Sequence, residues 1–161
     1  MTDGGPVYAQ PFDDLDRSIL RTLQLDGRLS NLDLARRIGL SPAATHARVR
    51  RLESAGVIQG YAAIVDIEKA GFDLLCLISV GMQLHDAERV NRTRELLGRM
   101  PEVLECHHVT GPFDYVLKVA LPDRRALERF VVEKLTPLPG VARIQTSLVL
   151  AEVKRTTALP I

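Results

Sequence analysis

The chain has 161 residues, of which 25% are charged and 46% apolar, ordinary values for a globular protein that exclude disorder for most of its length. This length accommodates one ordinary domain or two small ones and excludes a large multidomain enzyme. Its 21 Lys and Arg residues almost balance its 20 Asp and Glu residues. That balance conceals a cluster, because positions 36–51 carry five arginines and no acidic residue. Such a cluster indicates a polyanionic partner.

Neither a secretory signal nor a membrane helix is visible in the sequence. The first twelve residues contain no Lys or Arg, and the most apolar stretch, 74–82, is interrupted by Ser79 and Gly81. A membrane helix needs about 18 or more apolar residues. The two cysteines, Cys76 and Cys106, are too few for a disulfide framework. We therefore expect a cytoplasmic protein with no membrane partner.

Three short helical patterns come first along the chain. Asp13 is suited to cap the first helix, and Asp26-Gly27 has the turn chemistry to end it. Ser30 begins the second helix with a start that resembles a capping box. Apolar positions Leu32, Ala35 and Ile38 predict the buried stripe of this second helix.

The second and third helices lie very close together in the sequence. Gly39 is placed to end the second, and Ser41-Pro42 offers an N-cap hydroxyl and a first-turn proline for the third. A connection of three or four residues between two helices predicts a helix-turn-helix.

The third helix has two different faces. Thr45, Val49 and Leu52 recur at i, i+4 and i+7 and predict its core side. A helix-turn-helix lays this helix in the major groove of DNA, where alanine methyls read mainly thymine methyl groups. The alternative is a helical packing unit whose arginines face only solvent. The residues predicted to contact double-stranded DNA are Asn31, Ser41, Ala43, Ala44, His46, Ala47, Arg50 and Arg51.

From residue 73 onward the pattern alternates between strands and helices. Apolar or alternating runs predict strands over 73–83, 103–110, 113–121 and 141–153, and helical periodicity predicts helices over 86–100 and from Pro122-Asp123. The order β-α-β-β-α-β predicts a ferredoxin-like α+β domain. The predicted boundaries are a disordered tail (1–11), the helix-turn-helix (12–60), a linker strand or hinge (61–72), the ferredoxin-like domain (73–153) and a C-terminal tail (154–161).

The first strand of this domain is apolar in both of its registers. Cys76, Ile78 and Val80 alternate with Leu75 and Leu77. Helices cover only one face of such a sheet, so we expect a second copy of the chain to cover the other.

The segment Gly111-Pro112-Phe113-Asp114-Tyr115 lies between two predicted strands. A glycine-containing turn exposes backbone N–H groups that can hold a carboxylate, and Asp114 can hold an ammonium group. Together these would bind the two charged ends of a free amino acid. The alternative is a plain hairpin in which Asp114 bonds to its own turn.

The sequence offers little for metal binding or catalysis. In Cys106-His107-His108 the first and third side chains share one face of a strand while His107 points away, so at most two ligands converge. No phosphate-binding loop or nucleophile elbow is present. We expect no metal, no cofactor and no enzymatic activity.

Two groups of motifs follow one another in order along the chain. The N-terminal group is Leu15-Asp16-Arg17, Ile38-Gly39-Leu40-Ser41-Pro42, Arg48-Val49-Arg50-Arg51-Leu52-Glu53 and Gly56-Val57-Ile58-Gln59-Gly60-Tyr61. The C-terminal group is Val109-Thr110-Gly111-Pro112-Phe113-Asp114-Tyr115 and Leu138-Pro139-Gly140-Val141. In these motifs the chain resembles the Lrp/AsnC (feast/famine) family of transcriptional regulators, and the resemblance extends from about Phe12 to the C-terminus.

The resemblance implies a winged helix-turn-helix, dimers that assemble into octamers or similar rings, and an amino-acid effector bound between dimers. It carries over Val109, Thr110, Gly111, Asp114 and Tyr115 on the hairpin side. Thr146, Ser147 and Leu148 would come from a neighbouring chain. Pro112 departs from the family, because many members have an acidic residue there.

Together these features predict a nucleoid-associated, sequence-specific DNA-binding transcriptional regulator whose assembly and DNA binding respond to a small amino acid. Two alternatives remain. One is an architectural DNA-binding protein with the same fold and no physiological effector. The other comes from a different class, a small metabolic enzyme or an amino-acid-binding module that is not a regulator.

Overall fold

The computed structural model describes residues 12–83 and 87–161. The predicted tail over 1–11 and the predicted helix start at Asp86 lie outside these described residues. The chain forms two compact units. One contains the described residues up to Ile64 together with Lys154–Ile161, and the other is Val65–Val153.

The N-terminal unit contains three helices with well-formed ends. Their bounds are Asp14–Leu25 (α1), Asn31–Ile38 (α2) and Pro42–Ser54 (α3). Asp13 caps α1, since its carboxylate accepts the N–H of Asp16 at 2.8 Å. Ser30 caps α2 by accepting the N–H of Asp33 at 3.1 Å. Gly39 ends α2 in the left-handed conformation (φ 72°), as its position in the sequence predicted.

The core of this unit is small and apolar. It is formed by Ile19, Leu20, Leu34 and Leu52, each at most 6% exposed. The predicted stripe of α2 is corrected at Leu32, which is 48% exposed. Leu34, two residues further on, takes its place, because two residues rotate a helix by more than half a turn.

Neither the segment after α3 nor the C-terminal tail contains a strand. Residues 55–73 are extended or turn-forming, with turns near Ile67, so the predicted linker strand is not formed there. The tail Lys154–Ile161 packs with the helices. The side-chain amide of Gln24 donates to the carbonyl of Leu159 at 3.3 Å and accepts its N–H at 2.5 Å. Ile161 packs against the core.

The C-terminal unit has the predicted βαββαβ order. Its elements are β1 (Leu74–Met82), α4 (Ala87–Gly98), β2 (Val103–His108), β3 (Tyr115–Leu121), α5 (Arg124–Arg129) with a π-helical continuation (Phe130–Leu135), and β4 (Val141–Leu148). The strands lie in the order β2-β3-β1-β4, all antiparallel. β4 ends at Leu148, five residues before the end of the predicted strand.

Among the described residues, no helix is long and apolar enough to cross a membrane.

The two faces of the sheet differ in composition. Cys76, Ile78 and Val80 are fully buried in the main core, against the helices. On the other face Leu77 is 42% exposed, and its neighbour on β3 is Lys118, which pairs with Glu105 at 3.7 Å. That face is therefore a mixture of apolar and charged groups rather than a continuous apolar surface.

Candidate DNA-binding face and effector hairpin

The start of α3 is held firmly by local hydrogen bonds. The Ser41 hydroxyl accepts the N–H of Ala44 at 3.2 Å, and Pro42 occupies the first turn. The side-chain amide of Asn31 donates to the carbonyl of Pro42 at 2.8 Å. This bond fixes the start of α2 against the start of α3. Asn31, predicted to contact DNA, therefore has one of its N–H groups already engaged.

The two faces of α3 divide as the periodicity predicted. Thr45 and Leu52 are buried, and the Thr45 hydroxyl donates to the carbonyl of Ser41 at 3.0 Å. Of the predicted contact residues on α3, Ala44 is half-buried. The exposed ones are Ala43, His46, Ala47, Arg50 and Arg51. The accessible residues of the helix thus combine small side chains with one imidazole and two arginines.

An ion-pair network ties α1 to α3. Asp16 is 3% exposed, and its two carboxylate oxygens accept from Arg48 at 2.9 Å and from Arg51 at 2.5 Å. Arg48 also donates to Asp13 at 2.6 Å. Hydrogen bonds from the Asp16 N–H and from Arg48 lower the pKa of Asp13, and bonds to Asp13 and Asp16 raise the pKa of Arg48.

This network revises the interpretation of the arginine cluster. Arg48 and Arg51 are paired with α1, and Arg36 pairs with Asp33 at 3.4 Å. Within the described part of the chain, only Arg37 and Arg50 of the five have no ion pair. The acid-free run overstated the uncompensated charge, because the neutralising carboxylates lie elsewhere in the sequence.

A groove of about 270 Å³ lies beside the accessible face of α3. Its lining is Leu23, Gly27, Leu29, Asn31, Leu34, His46, Val49, Arg50, Glu53 and Tyr61. The Tyr61 hydroxyl donates to Glu53 Oε1 at 3.3 Å. Neither Tyr61 nor Glu53 is among the residues that the sequence predicts to contact DNA. The i, i+7 spacing of His46 and Glu53 was the available signal that they share one side of the helix.

The hairpin between β2 and β3 is fixed to the end of β1 by Asp114. The N–H of Met82 donates to Asp114 Oδ2 at 2.6 Å, and the N–H of Asp114 donates to the carbonyl of Val80 at 3.0 Å. The N–H of Val109 closes the hairpin by donating to the carbonyl of Asp114 at 2.9 Å. The Asp114 side chain is thus bonded to a neighbouring strand and not, as the alternative interpretation had it, to its own turn.

The turn itself is accessible. Thr110 and Gly111 are exposed, and Gly111 has a φ of 121°, which only glycine adopts readily. Arg143, on β4, lies with its guanidinium 4.2 Å from the centre of the Phe113 ring and donates to the carbonyl of Pro112. No sequence pattern indicated this contact, because Arg143 and the turn are brought together only by the sheet.

Tyr115 begins β3 from inside the core. It is 1% exposed, and its ring stacks on that of His108 with centroids 5.0 Å apart. Its hydroxyl has no hydrogen-bond partner among the described residues. Tyr115 is therefore the buried member of the predicted effector set. Burial of its unpaired hydroxyl costs free energy.

The predicted residues on β4 do not meet the hairpin within one chain. Thr146, Ser147 and Leu148 are exposed, and Thr146 pairs with Ile78 on β1. β1 separates β4 from β3, which carries the hairpin. A single chain therefore presents the two predicted halves of the effector site apart.

The residues weighed for metal binding have other partners. His107 Nε2 lies 3.2 Å from Glu105 Oε2, and this contact lowers the pKa of Glu105. Burial raises the pKa of both Cys76 and Cys106, which favours the thiol form. No group of three potential ligand residues suited to a metal occurs in the part of the chain that the structure describes.

Both units match known protein families. Residues 12–59 match the family model for a winged helix-turn-helix DNA-binding domain, and residues 75–159 match the Lrp/AsnC ligand binding domain. The leucine-responsive regulatory protein of Serratia marcescens is 38% identical over 161 residues, covering 100% of this chain and 98% of that protein. Transcriptional regulator AzlB of Bacillus subtilis is 36% identical, covering 92% of this chain and 95% of that protein.

Solved structures agree with these relatives. A transcriptional regulator from Neisseria meningitidis, solved as a complex with L-Met, superposes with a TM-score of 0.89 at 36% identity, covering 93% of this chain and 97% of that one. AsnC of Escherichia coli superposes with a TM-score of 0.83 at 28% identity, covering 92% and 98%. The chain belongs to the Lrp/AsnC family and is a DNA-binding transcriptional regulator with a ligand-binding domain, not an enzyme.

Proposed function

We propose that the exposed face of α3 enters the major groove of DNA and that an amino acid bound at the β2–β3 hairpin controls this binding. The main support for DNA binding is the state of the Arg50 side chain. It is an exposed guanidinium without an ion pair among the described residues, on the same helix face as Ala43, His46 and Ala47. A cation beside small side chains suits close approach to a groove lined by phosphates.

The roles of the individual residues follow from their chemistry. Ala43, Ala44 and Ala47 allow close approach to base edges, and His46 is the polar group that reaches them. Ser41 at the helix N-terminus and Arg50 contact phosphate. Arg51 also contacts phosphate, through the N–H groups that are not bonded to Asp16. Asn31 acts chiefly by fixing the angle between α2 and α3.

The ligand half is supported by the relatives. The Neisseria regulator was solved with L-Met, and several relatives are named leucine-responsive. We infer that this chain binds a small, mainly apolar amino acid. Its charged ends would lie at Val109, Thr110, Gly111, Asp114 and Tyr115 of one chain and at Thr146, Ser147 and Leu148 of a neighbour.

This arrangement requires assembly and gives a mechanism. Dimers that join into an octamer or a similar ring would bring β4 of one chain to the hairpin of another. An effector bound at that junction favours one assembly over another by its differential affinity. The spacing of paired α3 helices, which must match half-sites about 34 Å apart, then changes. We place this activity at the nucleoid, in the cytoplasm.

The DNA half is tested by fluorescence anisotropy with the promoter fragment of the protein's own gene, titrated at several salt concentrations. Arg50→Ala should weaken binding and reduce the slope of log affinity against log salt by about 0.9 for each lost phosphate contact. Arg129→Ala, an exposed arginine on α5, is the matched control and should leave the slope unchanged. An unaltered slope in Arg50→Ala would show that this face does not meet DNA.

The ligand half is tested by thermal shift with each of the standard amino acids. A ligand present at about 100 times its Kd stabilises the native state by about 2.7 kcal/mol. A protein that binds DNA but is stabilised by no amino acid at millimolar concentration would be an architectural protein. One that binds an amino acid but not DNA would be a binding module without regulatory function.

A further inference from the structure

Glu53 is the only acidic residue of α3, and it lies three residues after Arg50. Opposite charges at i and i+3 are neighbours on a helix surface and tend to pair. Within the described part of the chain, however, Arg50 forms no ion pair. Glu53 instead accepts a hydrogen bond from the hydroxyl of Tyr61, 3.3 Å away.

The Tyr61 ring lies beside the turn that follows α1. A Cβ built on Gly27 would lie 3.2 Å from Cδ1 of the Tyr61 ring, so the absence of a side chain at Gly27 makes room for the ring. Both residues line the groove beside α3, together with Arg50 and Glu53. Partial burial and the nearby carboxylate of Glu53 raise the pKa of the Tyr61 phenol. The hydroxyl is therefore protonated, and able to donate, at neutral pH.

We propose that Tyr61 is a positioning residue of the DNA-binding face, which holds the Glu53 carboxylate away from Arg50 and so leaves the Arg50 guanidinium available to a phosphate. The proposal rests on the proposed function in one respect, the contact of Arg50 with DNA. It adds a residue outside the helix-turn-helix helices to the set that determines DNA affinity. Tyr61 itself need not touch DNA.

The consequence of losing the hydroxyl follows from helix-pair energetics. Without its partner, Glu53 pairs with Arg50 in the unbound protein, and this pair must break before Arg50 binds a phosphate. A helix pair of this kind is worth about a twofold factor in an equilibrium constant. DNA affinity should therefore fall about twofold for each α3 helix that binds DNA, or about fourfold when the α3 helices of two chains bind together.

The test uses a short duplex of arbitrary sequence, fluorescence anisotropy and the full chain. Tyr61→Phe, which removes only the hydroxyl, should lower the affinity by this factor and flatten its salt dependence. Gly27→Ala, whose Cβ would press on the Tyr61 ring, should change the affinity in the same direction but by less. In the Glu53→Gln background both substitutions should lose their effect, because no carboxylate remains to pair with Arg50.

Two comparisons separate this mechanism from others. Glu128→Gln, which removes an exposed carboxylate from α5, should leave the effect of Tyr61→Phe in place. A merely structural role for Tyr61 predicts that Tyr61→Phe weakens binding equally in the wild-type and Glu53→Gln backgrounds, and that result would overturn the proposal. Wild-type affinity in Tyr61→Phe would also overturn it.

The proposed function fails separately. If Arg50→Ala has no effect on DNA binding, the assigned face is wrong and the inference falls with it. If Arg50→Ala weakens binding while Tyr61→Phe does not, only the inference is refuted.

Discussion

Replacing Asp16 by asparagine tests how α1 holds α3 in position. The carboxylate is 3% exposed and accepts from two arginines, Arg48 at 2.9 Å and Arg51 at 2.5 Å. Asparagine keeps the shape but removes the charge and turns one acceptor into a donor that faces a guanidinium. Removing one partner of a buried ion pair costs about 3–5 kcal/mol when both groups are fully buried.

The expected cost of Asp16→Asn is smaller, because its two arginine partners are only partly buried. The side chains of Arg48 and Arg51 are 26% and 60% exposed, so water compensates for part of the lost pairing. We expect a loss of about 2 kcal/mol in the free energy of unfolding, close to one hydrogen bond to a charged group. For a unit of this size that loss lowers the melting temperature by about 10 °C.

Urea denaturation followed by circular dichroism, together with calorimetry, measures this change. Asp14→Asn, an exposed acidic residue on the same helix, is the matched control and should change stability by less than about 0.5 kcal/mol. A wild-type melting temperature for Asp16→Asn would refute the view that this network stabilises the N-terminal unit.

Three further substitutions have defined outcomes in the same urea experiment. Gly39→Ala places a side chain at φ 72° and should cost about 1 kcal/mol, although open space surrounds the site; no loss would mean that the end of α2 is not constrained. Leu117→Ala empties a fully buried position on β3 and should cost about 2–5 kcal/mol, and a smaller cost would indicate a loosely packed core. The pKa of Asp13 is lowered in the folded state, so its stabilisation is present above its unfolded pKa of about 3.9 and is lost as the pH falls through the folded value. Asp13→Asn should remove that part of the decline, and an unchanged pH profile would contradict the assignment.

Features with local causes were predictable from the sequence. The caps at Asp13, Ser30 and Ser41 and the glycine at position 39 depend on a few adjacent residues, and the structure confirms all four. The order of strands and helices in the C-terminal unit is likewise confirmed, since each strand carries its own alternating or apolar pattern.

Features that depend on the tertiary fold were not predictable in the same way. Asp16 and Arg51 are 35 positions apart, and no local pattern indicates that they pair. Arg143 reaches the Pro112 carbonyl only because β4 lies beside β1. The π-helical segment that continues α5 was expected as an ordinary helix, since periodicity does not distinguish the two over six residues.

The residues of the proposed DNA-binding face follow the same division. The helix face with Ala43, His46 and Ala47 could be identified from spacing alone. The sequence predicted both Arg50 and Arg51 as DNA contacts, and only the structure distinguishes them, because Arg51 is paired with Asp16. The Tyr61–Glu53 contact could likewise be identified only from the structure, because Tyr61 follows the end of α3 in a segment without regular secondary structure.

The central claim is that the exposed face of α3 docks into DNA, and Ala47→Glu tests it most directly. Ala47 is exposed in the middle of that face, so glutamate fits the folded protein but places a negative charge against the phosphates. We predict that Ala47→Glu abolishes DNA binding in anisotropy titrations while the melting temperature stays at the wild-type value. Ala151→Glu, at an exposed alanine of the other unit, should bind as the wild type does. Wild-type DNA affinity in a folded Ala47→Glu protein would contradict the account.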